Sequence, residues 1–97
     1  MTLPIVEEIA GLPSHADRAD WLIRCPDWHV VGSVASIRKA LELAAFFEAV
    51  VYLDARHASL QAVRTSDGSL TQSVRKGLKK ARRMMRAAAK ERDGGVG

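Results

Sequence analysis

Nine of the fifteen Lys and Arg residues fall between positions 75 and 92, and fixed cations at that density suit one kind of chemistry, the binding of a polyanion. Arg75, Lys76, Lys79, Arg82, Arg83, Arg86 and Lys90 share one continuous arc of a helix at about 100° per residue, with Lys80 at its edge. Opposite them runs an apolar stripe of Val74, Leu78, Ala81, Met85 and Ala88. At ~1.5 Å per residue the cations occupy about 25 Å of helix, enough to neutralise several phosphates of a duplex or a single strand. From Thr71 onward the chain carries a net charge of +7 and before it −3, so the overall +4 conceals a dipole. A solvated face whose last cations complement the helix macrodipole is the plainer alternative.

The arc holds no Asn and no aromatic residue, which leaves the arginines, with Gln72 and Ser73 at the helix start, as the only groups able to read a base edge. Backbone contact with little sequence preference is therefore expected. An anionic membrane is a poorer partner for this helix, because its apolar stripe holds only Val, Leu, Met and Ala and the fold requires it.

Other reactive side chains do not assemble into a catalytic set. Trp21 to His29 gathers both tryptophans, the only cysteine and a histidine, yet Cys25 and His29 lack the further ligands a zinc site needs, and Pro26 separates them as a nucleophilic pair. The expectation here is structural, with Trp21 and Trp28 packed over an apolar seam of the following helix beside a buried Cys25; an exposed docking patch at the two rings is the alternative. Glu42 and Glu48 point to different faces, His57 lies within an apolar seam, and no glycine loop or nucleophile elbow is present. We therefore expect no enzyme activity, no cofactor and no metal.

Length and composition set the frame that positions the cations. A chain of 97 residues with 47% hydrophobic and 27% charged residues makes one domain, expected over 1–93 with a flexible tail at 94–97. A lone cysteine, and an N-terminus with Glu7 and Glu8 where a secretory apolar run would lie, favour the cytoplasm. Ser14 and Asp17 have capping-box spacing and Pro26 must stop what they start, so a helix is expected at about His15 to Arg24, preceded by a short one near Ile5 to Ala10. Asp27 can cap a further turn, with a kink or loop near Gly32.

From Ile37 to Arg64 there is no Gly or Pro, and two apolar seams run at helical spacing. One is Ile37, Leu41, Ala44, Glu48, Val51, Ala55, Ala58 and Ala62; the other is Leu43, Phe46, Val50, Leu53, His57 and Leu60. A turn at Thr65 to Gly68 and a Ser69–Gln72 cap then precede the basic helix, whose stripe should face the first seam, with Gly77 allowing close approach to Ala55, Ala58 and Ala62 and with Glu48 paired to Arg92. The expected fold is all-α, a small bundle of three or four helices with a long central helix at about 35–64 and an antiparallel basic C-terminal helix at about 70–92. The second seam needs a cover, either the N-terminal third or a second copy, and a homodimer would use Leu43, Phe46, Val50 and Leu53.

The function this predicts is that of a non-enzymatic accessory protein that grips nucleic-acid phosphates through the basic helix. The competing expectation is a protein-interaction module, an adaptor or small inhibitor that docks on an acidic groove of a nucleic-acid-handling complex.

Overall fold

The computed structural model describes residues 4–61 and 72–94, and the elements within them are helices: α1 (Pro4–Ala10), α2 (His15–Arg24), α3 (Asp27–Leu43), α4 (Phe47–Gln61) and α5 (Gln72–Gly94). Local signals account for most of the boundaries. Ser14 Oγ accepts the Asp17 N–H at 3.1 Å and starts α2, which ends where Pro26 prevents continuation. The expected kink in α3 falls one residue past Gly32, where Ser33 leaves the helical region at φ −129°, ψ 20°. The turn expected at Thr65 to Gly68 and the Ser69 cap lie outside the described residues.

The expected long central helix does not exist, and the described chain has five helices rather than three or four. The break comes at Ala44–Ala45–Phe46. Ala45 takes a left-handed conformation, φ 57°, and its N–H donates to the Glu42 carbonyl at 2.9 Å while the Phe46 N–H donates to the Leu41 carbonyl at 2.9 Å. That is a Schellman ending with alanine where glycine is usual, at a cost of about 1 kcal/mol. Tertiary contacts offset it: Phe46 is fully buried and its ring stacks on His15 at 4.3 Å, and Arg92 Nη1 donates to the Ala45 carbonyl at 2.6 Å.

The break also explains the two seams. Ile37 and Leu41 lie on the inner face of α3, whereas Phe46 is buried just ahead of α4 and Ala49 and Leu53 on its inner face; what reads as one helix with two apolar sides is two helices with one inner side each. The seam offered for a homodimer is consequently covered by its own chain. Phe46 and Leu53 are fully buried and Val50 is half-buried, which leaves only Leu43 of the four exposed.

The helices close a circuit: α1 packs on α2 and α3, α3 on α4, α4 on α5, and α5 back on α2. Ile9, Leu22, Ile37, Leu41, Phe46, Leu53 and Met85 fill its middle without exposure, each worth roughly 1.5–3 kcal/mol in transfer terms. Three arginines tie the circuit at helix C-termini, where carbonyls lack partners. Arg18 donates to the carbonyls of Ile9 and Ala10 at the end of α1 and of Leu12 just beyond it, at 3.0, 2.8 and 2.7 Å. Arg56, only 8% exposed, donates to the Leu22 carbonyl at 2.7 Å, to the Cys25 carbonyl, and to Asp27 Oδ1 at 2.9 Å. Arg92 serves the end of α3 and holds Glu48 with Nη2 at 3.2 Å from Oε2, the pair expected from matching the two helices. A helix of seven residues such as α1 is unstable alone, and the burial of Val6 and Ile9 together with the Arg18 cap stabilises it.

Candidate nucleic-acid interface

Helix α5 inserts Ala81, Met85 and Ala89 into the core, with Val74, Leu78 and Ala88 half-buried on either side. That stripe packs against α4 and α2 and so fixes which way the rest of the helix faces. Arg75, Lys76, Lys79, Arg82, Arg83, Arg86 and Lys90 are all exposed, as is Lys80. Helical spacing puts them on one side of α5, away from the buried stripe.

Their partners differ from those of Arg18, Arg38, Arg56 and Arg92, although exposed Arg24 and Lys39 also lack a carboxylate partner among the described residues. Among the described residues the only carboxylate within ion-pair reach of this set is Asp20 of α2, whose Oδ1 lies 3.9 Å from Arg86 Nη2, with both side chains open to solvent. An exposed pair at that distance contributes little to stability. Arg75, Lys76, Lys79, Lys80, Arg82, Arg83 and Lys90 have no such pairing, whereas Arg38 is paired with Asp54, Arg56 with Asp27 and Arg92 with Glu48. Chemically the ridge is a row of solvated donors about 22 Å long from Arg75 to Lys90, roughly two-thirds of a duplex turn.

Tyr52 borders a depression with Arg75, Leu78, Lys79 and Arg82, an aromatic neighbour that the sequence pattern of α5 alone does not reveal. Its residue is buried and cannot offer an open ring face to a base. The ridge thus presents charge without stacking surface.

Two further features depart from expectation. Trp28 is 75% exposed rather than core; it stacks on His29 with ring centroids 5.1 Å apart, and His29 meets the edge of half-buried Trp21 at 5.9 Å. Trp28 lies in the first turn of α3, on the side away from buried Val30, which decides its exposure despite its residue type. Trp21 instead donates its Nε1–H to Glu8 Oε1 at 3.1 Å. Cys25 is buried, as expected, and burial raises its thiol pKa, which keeps it protonated and a poor nucleophile. Gly77 does not mediate a close helix contact either. A Cβ placed there would meet nothing within 4 Å, and the small residues of α4 and α5 enclose an open groove rather than touching.

The C-terminal end of α5 is anchored by chemistry of its own. The Asp93 carboxylate accepts the N–H groups of His15 at 3.0 Å and Ala16 at 2.8 Å, a cap supplied to α2 from another helix. Those two N–H bonds, Ala16 first, hold the Asp93 carboxyl below the ordinary carboxylate range. Burial, and then the Arg18 guanidinium, hold the His15 imidazole below its ordinary value. No group of three or more His, Cys, Asp or Glu side chains among the described residues could hold a metal ion. No described helix is long and apolar enough to cross a membrane.

No protein-family model, curated protein or solved structure matches the chain.

Proposed function

We propose that the protein is a non-enzymatic accessory protein of the cytoplasm that grips nucleic-acid phosphates through the outer face of α5, with little base preference. One observation carries the reading: the cations from Arg75 to Lys90 stand exposed on one face, and all but Arg86 lack a carboxylate partner among the described residues. Elsewhere Arg18, Arg38, Arg56 and Arg92 are engaged by carbonyls or carboxylates, so the fold uses those charges and leaves the ridge for another molecule. Phosphates reward such a row through counterion release, which needs neither base-reading amides nor aromatic platforms.

The test is retention of a random-sequence duplex by the purified protein and by a variant carrying Arg75→Glu, Lys79→Glu and Lys90→Glu. These three sit on the solvent side of α5 and none belongs to an ion pair of the fold. Binding is expected to disappear in the variant with its helical circular dichroism intact, and unchanged retention would remove the reading.

A further inference from the structure

We propose that the groove between α4 and α5 is a docking site for an acidic amphipathic helix of a partner protein. The groove adjoins the phosphate grip and shares Lys76, Lys80 and Arg83 with it, but its apolar walls are distinct and docking there does not rest on nucleic-acid binding. The groove holds about 370 Å³ and is lined by Val51, Ala55 and Ala58 on one wall and by Gly77, Lys80 and Met84 on the other. Val51 is 59% and Met84 54% exposed, an unusual state for large apolar side chains that face each other across a cleft. Phe47, also exposed, continues the α4 wall one turn earlier.

The shape suits a helix. Val51 to Ala58 and Gly77 to Met84 each span about 10 Å of axis, two helical turns, so an occupant would present apolar residues at i, i+3, i+4 and i+7. Ala55, Ala58 and Gly77 carry almost no side chain, and nothing lies within 4 Å of where a Gly77 Cβ would be, so an incoming backbone can approach at helix-packing distance.

Charge selects the occupant. Lys80 lines the groove, and Lys76 and Arg83 share its stripe of α5, all exposed and without carboxylate partners among the described residues. On the α4 side the nearest acid along the helix face, Asp54, is already paired with Arg38. A helix with Glu or Asp flanking its apolar stripe would meet cations along the α5 wall. A second copy would bring its own Lys76, Lys80 and Arg83 against the same three, and a nucleic acid has no apolar stripe to place between the walls.

Two fluorescein-labelled helical peptides of about 18 residues, sharing one Leu stripe but with Glu on the polar face of one and Lys on that of the other, serve as probes. In fluorescence anisotropy the Glu peptide is expected to bind about tenfold or more tighter than the Lys peptide, and Val51→Asp and Gly77→Leu are each expected to weaken it about tenfold while keeping the helical signal and the melting transition. Amide shifts on peptide addition should centre on Val51, Ala58, Gly77 and Met84. Equal affinity for the two peptides, no binding of either, or full binding to the folded Val51→Asp variant would overturn the proposal. So would a homodimer in sedimentation that Gly77→Leu dissolves, because it would assign the groove to a second copy. The measurement contains no nucleic acid, so its failure is distinct from failure of the phosphate grip.

Discussion

Arg56 and Arg83 carry the same charge on neighbouring helices and have opposite fates. Arg56 is 8% exposed and reaches the Leu22 carbonyl in the last turn of α2, the Cys25 carbonyl just beyond it and the Asp27 carboxylate at the start of α3; Arg83 is exposed and has no partner among the described residues. The first kind of cation, shared by Arg18 and Arg92, donates to carbonyls at helix ends, while the second makes no such bond among the described residues. A cation without an internal role is the one available to an external anion, and the distinction depends on helix termini rather than on net charge.

The sharpest way to break this contrast is to truncate both kinds. Arg56→Ala removes the side-chain donor to the Cys25 carbonyl, one of two donors to the Leu22 carbonyl, and the partner of Asp27, and should cost about 3 kcal/mol in urea unfolding, against no more than about 0.5 kcal/mol for Arg83→Ala. Similar losses at the two sites would remove the division between structural and available cations. A smaller effect sharpens the account of the break between α3 and α4. Ala45→Gly relieves the left-handed alanine and should stabilise by about 1 kcal/mol, and a destabilised variant would show that the residue is not held as described. Gly77→Ala should gain slightly less, up to about 0.8 kcal/mol, because the added methyl meets no neighbour and α5 loses its one interior helix weakener.

The smallest expected effect is a pH dependence of the α2 to α5 junction. The His15 pKa is lowered in the folded state, so the unfolded chain takes up that proton more readily. Its contribution is full above the ordinary value of 6.5 and is lost as pH falls through the lower folded value. The Asp93 carboxyl is also held down, so its contribution is present above 3.8 and is lost at still lower pH. Urea midpoints should therefore decline in two stages on acidification, and His15→Gln should abolish the upper stage while sparing the lower one. A single stage unaffected by His15→Gln would contradict the assignment.

How much of this was legible in the sequence differs by element. The bounds of α2 could be read because Ser14, Asp17 and Pro26 act locally, and the Glu48–Arg92 pair followed from matching two periodic faces. The break at Ala45 could not. Alanine is the best helix former, and the left-handed turn is imposed by the burial of Phe46 and by Arg92 from a distant helix. Even so, a helix-length run with two apolar sides carried a trace of it, since a phase shift between seams marks either two neighbours or a change of helix. The exposure of Trp28 follows from its position in a first turn, on the side away from Val30, which residue type alone does not indicate. For the candidate site, the exposed arc of α5 was predictable from spacing alone, whereas the groove beside it depends on how far apart two small-residue faces come to rest.

If the α5 ridge binds phosphates as proposed, the affinity of the protein for a random-sequence duplex depends steeply on salt. If about five phosphates are engaged, log K should fall with log salt with a slope near −4.5 and with little change between sequences. Affinity that is absent at low salt, or that persists with a slope near zero, would contradict the proposed binding.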